Sequence, residues 1–101
     1  MGWVTTEQLK YDAHGALLSH SPTTYKIPNI SDVPADFRVE FLDNRESTLS
    51  LRGSKAVGEP PLLLGISVWT AIRRAILEAS ARGIPRLQLP ATHERILLAL
   101  Q

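Results

Sequence analysis

The sequence contains no cysteine among its 101 residues, and this absence excludes two kinds of structure. No disulfide can form, and the chain cannot hold a conventional iron–sulfur cluster, because such clusters need thiolate ligands. Long apolar runs are also absent, and a membrane-spanning helix needs roughly 18 consecutive apolar residues. The N-terminus shows no basic segment followed by an apolar stretch. We therefore expect no secretory signal, no membrane association and a cytoplasmic location.

An excess of charge of one sign is missing as well. The 11 basic and 10 acidic residues leave a formal net charge of +1, so electrostatics gives no reason to expect nucleic-acid binding. The contents of hydrophobic (44%) and charged (21%) residues are those of an ordinary globular protein. We expect residues 1–101 to form one domain. His14, His20 and His93 share no spacing typical of metal ligands, so no metal is expected on them.

The first part of the sequence has the pattern of a hairpin. Residues 7–11 alternate between polar and apolar side chains, which is typical of a half-buried strand. Residues 12–15 then predict a turn with Gly15 at a position of positive φ, and residues 16–18 predict a returning strand. Residues 19–36 are rich in proline and small polar side chains, which indicates a connecting loop.

The clearest strand pattern covers residues 37–42, where Phe37, Val39 and Phe41 fall on one face. Residues 47–51 predict a further short strand. A helical pattern follows from Pro61 to about Ala81. The strands and helices together predict an α+β fold.

Apolar residues within this helical pattern recur at spacings of three and four, which predicts a long apolar helix with Trp69 in the core. Gly83 and Pro85 are expected to end it. Thr92 is a candidate cap for a short C-terminal helix. The predicted order is therefore short antiparallel strands, a loop around Glu59, one long apolar helix and one short helix.

Residues 53–61, Gly-Ser-Lys-Ala-Val-Gly-Glu-Pro-Pro, form the most distinctive motif. Gly58 permits a backbone conformation closed to other residues. Pro60 biases Glu59 away from the α region, and Pro61 suits the first position of a helix. Glu59 is thus predicted to project from a stiff loop, near the free N–H groups and the positive dipole of a helix N-terminus. A carboxylate in this setting is a candidate catalytic group.

A nucleotide-binding loop is the first alternative for this motif. Gly53 and Gly58 have the spacing of a P-loop, which must continue with Lys and Ser or Thr to meet phosphate and magnesium. Glu59 and Pro60 occupy those two positions here. A carboxylate repels phosphate and a proline removes a backbone donor, so the motif does not predict nucleotide hydrolysis.

The sequence of residues 54–61 resembles the active-site glutamate loop of the xanthine dehydrogenases, within the molybdenum hydroxylases. Three further blocks resemble the same family in the same order: residues 2–9, residues 24–28 with 32–34, and residues 90–96, in which His93 stands where the family pattern has proline. Four blocks in the family's order are more specific than any single motif. The resemblance implies the C-terminal segment of a molybdopterin-binding domain.

The resemblance also implies roles for the loop. Glu59 would act as general base on a hydroxyl bound to molybdenum, which attacks an electron-poor carbon of a xanthine- or hypoxanthine-like ring, with water as the oxygen source. Lys55, Ala56, Val57 and Gly58 would contact the molybdenum–molybdopterin cofactor. An aldehyde or another N-heterocycle stays open as the substrate.

Partners follow from the same resemblance. The remainder of the molybdenum domain, and a 2Fe–2S cluster and FAD on other domains or subunits, would complete the enzyme. The isolated chain is expected to bind no cofactor, to be inactive, and to self-associate through surfaces that the enzyme covers. The alternative function is a non-catalytic interaction domain derived from this fold.

Overall fold

The computed structural model describes residues 1–43, 51–80 and 83–101. Within these ranges the chain forms two α-helices, α1 (Glu59–Ala79) and α2 (His93–Leu100), and three 3-10 helices: Gly2–Val4, Ile30–Asp32 and Leu51–Gly53. Turns and irregular segments connect them. No helix in the described ranges combines the length and the apolar character needed to cross a membrane.

The predicted α+β class is wrong. The described part of the chain contains no strand, and its β-pairing is a single antiparallel bridge between Tyr11 and Leu17. The predicted strand at residues 37–42 does not form, and its Phe41 side chain is 97% exposed. A strand needs a neighbouring backbone to satisfy its N–H and C=O groups, and the described residues pair none with residues 37–42. The strand predicted at residues 47–51 lies outside the described residues except for its last position.

The predicted turn of the hairpin forms, although its strands do not. Gly15 has a φ of 81°, and the Asp12 carboxylate accepts hydrogen bonds from the backbone N–H groups of His14 and Ala16, both at 2.8 Å. The Leu18 N–H donates to the carbonyl of Lys10 at 2.8 Å. Local side-chain-to-backbone bonds therefore fix the turn, but the pairing goes no further than the one bridge.

The prediction of a long apolar helix from residue 61 to about residue 81 is also wrong, because the helix that forms there is mostly exposed. α1 begins at Glu59, and among its side chains only Ile76 is buried. Its outer face carries an ion pair between Arg74 and Glu78, with 2.6 Å between Nε and Oε1. α1 is an amphipathic helix with one face on a small core.

That core lies between the C-terminal half of α1, the segment before α2, and α2 itself. Ile76, Leu87 and Ala91 are buried there, and partly buried side chains pack around them: Trp69, Ile72, Ile96 and Ala99. The position of Trp69 beside the core is as predicted. Thr92 caps α2 as predicted, since its side chain accepts a hydrogen bond from the Arg95 N–H.

The 3-10 helix Gly2–Val4, called the N-terminal 3-10 helix below, joins the two ends of the chain. Val4 is 1% exposed, and its carbonyl accepts a hydrogen bond of 2.7 Å from the N–H of Ala91. The same helix contacts α1, which also contacts α2. The N-terminal segment therefore braces α1 against the segment that leads into α2.

Much apolar surface stays uncovered around this core. The Cα radius of gyration is 17.9 Å, whereas a compact domain of 100 residues has about 13 Å. In the N-terminal half of α1, Leu62, Leu63 and Leu64 are 50%, 66% and 66% exposed. Contiguous apolar side chains at this exposure are typical of a surface that contacts another part of a protein.

Removing a core side chain should destabilise the chain far more than removing an exposed one. Ile76→Ala deletes a side chain that is 3% exposed, so it should lower the free energy of unfolding by about 2–5 kcal/mol. Ile84→Ala is the matched control, because Ile84 is 74% exposed and its loss should cost less than about 0.5 kcal/mol. Urea denaturation measures both. Equal losses would contradict the location of the core.

Candidate functional site

The loop predicted to be functional lies on the surface at the start of α1. Residues 55–58 are irregular in conformation and exposed, and Glu59 is the first residue of the helix. Among the described residues, the Glu59 carboxylate has no hydrogen-bond or ion-pair partner. An acidic side chain in the first turn interacts favourably with the helix dipole. The predicted position of Glu59 at a helix N-terminus is confirmed, and the residue is exposed.

The local backbone differs from the prediction in two respects. Gly58 has φ −83° and ψ −43°, an ordinary right-handed conformation, so the expected special backbone at Gly58 is wrong. Pro60 does not hold Glu59 out of the α region, because the helix begins at Glu59 and includes Pro60 and Pro61 in its first turn. Both prolines are tolerated there because the first N–H groups of a helix have no intrahelical partner.

The unusual backbone lies at the other end of the loop. Arg52 has a φ of 56° and Gly53 a φ of 68°, and the Ser54 N–H then donates to the carbonyl of Leu51 at 3.2 Å. A positive φ is uncommon for a residue other than glycine. The loop thus leaves a tight left-handed turn before it reaches α1.

The loop has the features of one wall of a cofactor site. A Cβ atom built at Gly58 meets no atom within 4 Å, so this chain does not crowd the backbone there. The N-terminus of α1 has no side-chain cap. Because Pro60 and Pro61 lack N–H groups, the free donors at this end are those of Gly58 and Glu59. An organic cofactor could bind to these donors.

The described part of the chain does not form a metal site by itself. In the described ranges, no three His, Asp or Glu side chains come together in a way that could hold a metal ion. Residues 55–59 therefore offer backbone groups and one carboxylate at the surface, and the described residues add no further metal ligands beside them.

Three of the four sequence blocks meet at a separate cleft of about 340 Å³, lined by Trp3, Val4, Glu7, Gln8, Leu9, Tyr25, Leu89, Pro90 and Arg95. The Tyr25 hydroxyl donates a hydrogen bond of 2.7 Å to the Glu7 carboxylate. This hydrogen bond, with smaller effects of burial and of the Glu7 charge, raises the pKa of Tyr25 above its ordinary value. The Arg95 guanidinium donates to the carbonyl of Pro90 at 2.9 Å.

A second cleft, of about 200 Å³, is lined in part by Thr6, Asp32 and His93. The Asn29 backbone N–H donates to the Asp32 carboxylate at 2.8 Å. This bond, assisted by Lys26, holds the pKa of Asp32 below its ordinary value although burial opposes the shift. Asn29 and Asp32 form a reciprocal capping box around the 3-10 helix Ile30–Asp32. The charge of Asp32 thus stabilises a turn, and the cleft lies beside it.

Two tertiary contacts were not predicted from the sequence. The Trp3 ring lies against Gly65, and the Glu7–Tyr25 hydrogen bond joins residues 18 positions apart. The signal available for the first was a glycine inside a helical pattern, which often marks a close approach of another group. No local pattern marks the second, because it depends on the tertiary path of the loop.

Comparison with known proteins assigns the chain to a family. Residues 1–34 match the family model described as a molybdopterin cofactor-binding domain. Xanthine dehydrogenase from Dictyostelium discoideum is 45% identical over 100 residues, which cover 95% of this chain and 7% of that protein. The chain belongs to the molybdenum hydroxylase family. This result confirms the family indicated by the four sequence blocks.

Other molybdenum hydroxylases match over a similar extent. Aldehyde oxidase 2 from Macaca fascicularis is 44% identical over 103 residues, 98% of this chain and 8% of that protein. Xanthine dehydrogenase 1 from Arabidopsis thaliana is 43% identical over 110 residues, again 98% of this chain and 8% of the relative. The chain therefore spans less than a tenth of the length of the relatives that it matches.

The Tyr25–Glu7 hydrogen bond should make the stability depend on alkaline pH. Because the pKa of Tyr25 is raised in the folded chain, its contribution is complete below the ordinary tyrosine pKa of 10.0 and is lost as the pH rises through the folded value. Tyr25→Phe should therefore reduce the fall in the free energy of unfolding between about pH 9 and pH 12.

Tyr11→Phe is the matched control, since Tyr11 is 58% exposed and donates no hydrogen bond within the described residues. It should leave the pH dependence as in the parent chain. Urea titrations at each pH measure the effect. The assignment of the hydrogen bond is wrong if Tyr25→Phe and Tyr11→Phe change the pH dependence equally.

Proposed function

We propose that this chain supplies the catalytic glutamate loop of a molybdenum hydroxylase that oxidises xanthine- or hypoxanthine-like N-heterocycles with water as the source of oxygen. The observation that carries the proposal is the position of Glu59. Its carboxylate is exposed at the head of α1 and has no partner among the described residues, in a chain that belongs to the molybdenum hydroxylases. The dipole of α1 alone would favour a carboxylate at this position, so the catalytic role is proposed from the position of Glu59 together with the family.

Glu59 is the proton acceptor in this proposal. The molybdenum–molybdopterin cofactor, when bound, supplies the redox chemistry. The Glu59 carboxylate oxygens accept the proton that is released as the ring carbon of the substrate is hydroxylated. A positioned base of this kind contributes roughly 10²–10⁴-fold to the rate.

Residues 55–58 are proposed to lie against the cofactor. Their exposure, the open space at Gly58 and the uncapped N-terminus of α1 support this role. The backbone donors would hold polar groups of the cofactor, and Lys55, Ala56 and Val57 would form the adjoining surface. The loop would thereby fix the distance between the cofactor and Glu59.

The rest of the site is proposed to come from the remainder of the molybdenum-binding domain. Val57 is 78% exposed and Leu63 is 66% exposed, and a site that excludes water needs such side chains to be covered. The chain has no cysteine, so a 2Fe–2S cluster, together with FAD, would belong to other domains or subunits. We place this segment at the C-terminus of the molybdenum domain.

The relatives named above include xanthine dehydrogenases and an aldehyde oxidase. Among the described residues, the loop at 55–59 offers one carboxylate and no group placed to distinguish a purine ring from an aldehyde. An aldehyde substrate is therefore the second candidate, and both substrate classes belong in the assays below.

Replacing the proposed base should stop turnover without releasing the cofactor. In the full-length enzyme, Glu59→Gln keeps the shape of the side chain but removes its basicity. We expect kcat to fall by roughly 10²–10⁴-fold, with KM changing much less. Glu59→Asp keeps a shorter carboxylate and should retain part of the activity. Steady-state kinetics normalised to the molybdenum content measures the effect.

Glu94→Gln is the control for the helix-dipole contribution of Glu59. Glu94 is an acidic residue in the first turn of α2, so the same substitution removes a comparable dipole interaction without touching the loop. Its kcat should stay close to that of the parent enzyme. A Glu59→Gln enzyme with full molybdenum content and the parent's kcat would show that Glu59 is not the base.

The isolated chain should contain no molybdenum and oxidise neither xanthine nor an aldehyde. A cofactor site needs most of its first shell on rigid supports, and this chain offers one loop. Elemental analysis and a dye-reduction assay on the purified chain test this. Stoichiometric metal with turnover would contradict the proposal that the chain is only part of a site.

A further inference from the structure

We propose that Trp3 is a positioning residue for Glu59, acting through its contact with Gly65. The inference rests on the proposed function of Glu59. Its starting point is a glycine inside α1, where glycine is unfavourable. A Cβ atom at Gly65 would lie 3.1 Å and 3.2 Å from two carbons of the Trp3 ring and 3.8 Å from Val4. The absence of a side chain at Gly65 lets the ring lie directly on the helix backbone.

The Trp3 ring is carried by a well-braced element. The backbone N–H groups of Thr5, Thr6 and Glu7 all donate to the carbonyl of Gly2, at 3.0, 3.1 and 3.0 Å. The Val4 carbonyl in turn accepts the hydrogen bond from Ala91. The N-terminal 3-10 helix is therefore fixed on both sides, and Trp3 transmits that position to α1.

Gly65 is also the support closest to the proposed base. Residues 59–64 of α1 are exposed, with Leu62 still 50% exposed, and Gly65 is the first residue of the helix that is largely covered. At a rise of about 1.5 Å per residue, Gly65 lies only about 9 Å along the axis from Glu59. The core contacts at Trp69, Ile72 and Ile76 lie farther along the helix. The contact between Trp3 and Gly65 therefore lies close enough to Glu59 to influence its position.

Catalysis by a positioned base depends on its distance from the reacting atoms, and a misplacement of about 1 Å can cost about 10²-fold in rate. A shift of α1 at Gly65 would move Glu59 without changing its chemistry. The expected signature is a lower kcat at unchanged molybdenum content and similar KM. A general loss of structure would instead lower the molybdenum content as well.

The test is a size exchange in the full-length enzyme. Gly65→Leu puts a side chain where the Trp3 ring lies and should lower kcat per bound molybdenum by about tenfold or more. Trp3→Ala alone should lower it less, and the double variant should recover much of the loss of Gly65→Leu because the space is restored. Trp3→Phe keeps an aromatic ring and should retain most of kcat.

Ala75→Leu is the matched control, because Ala75 is an exposed small residue on the same helix. Its kcat should stay within about twofold of that of the parent enzyme.

Amide hydrogen exchange supplies a readout that does not depend on activity. Exchange of the N–H groups of residues 62–65 should speed up in Gly65→Leu and slow again in the double variant. Suppose that Glu59→Gln lowers kcat strongly while Gly65→Leu and Trp3→Ala both leave kcat unchanged. That result overturns the role of Trp3 and leaves the proposed function intact. Full activity of Glu59→Gln overturns the proposed function itself. If Gly65→Leu does not fold, the kcat per bound molybdenum of Trp3→Ala and Trp3→Phe decides: a loss in Trp3→Ala that Trp3→Phe largely avoids supports the role of Trp3, and an unchanged kcat in both overturns it.

Discussion

The packing of the N-terminal 3-10 helix between α1 and Ala91 is the interaction on which the rest of the structure depends. Val4 and Ala91 are each 1% exposed, and the hydrogen bond between their backbones joins the two ends of the chain. Without it, α1 would be held only by the small core around Ile76. The same packing carries Trp3 to Gly65, so the element that closes the fold also supports the helix that begins with Glu59.

The exposed apolar surface supports the proposal that this chain is one part of a larger functional unit. A domain of this length normally buries enough apolar area to fold alone, yet the side chains of Phe37, Phe41 and Leu63 remain largely exposed. The relatives from the molybdenum hydroxylase family are more than tenfold longer than the matched region. Coverage of α1 by the remainder of such an enzyme would both bury these side chains and enclose Glu59.

The sequence predicted features that local interactions determine. The turn at Gly15, the cap at Thr92 and the acidic start of α1 depend on residues within one or two turns of each other. The strand prediction at residues 37–42 failed. The alternation of apolar and polar residues shows that one face would be apolar, but it does not show whether a second backbone lies alongside to pair with. The special conformation predicted for Gly58 is not seen, since its φ and ψ are those of an ordinary right-handed residue. The Trp3–Gly65 contact joins distant segments, and no spacing in the sequence specifies it.

The most direct test of the account is the location of Glu59 in the full-length holoenzyme. A crystal structure with cofactor and a slow substrate or inhibitor would measure how far the carboxylate oxygens lie from the reacting groups. The account predicts that Glu59 lies within hydrogen-bond reach, about 2.6–3.2 Å or through one water, with residues 55–58 against the cofactor. A Glu59 side chain directed into bulk solvent, with the cofactor enclosed by other segments, would contradict it.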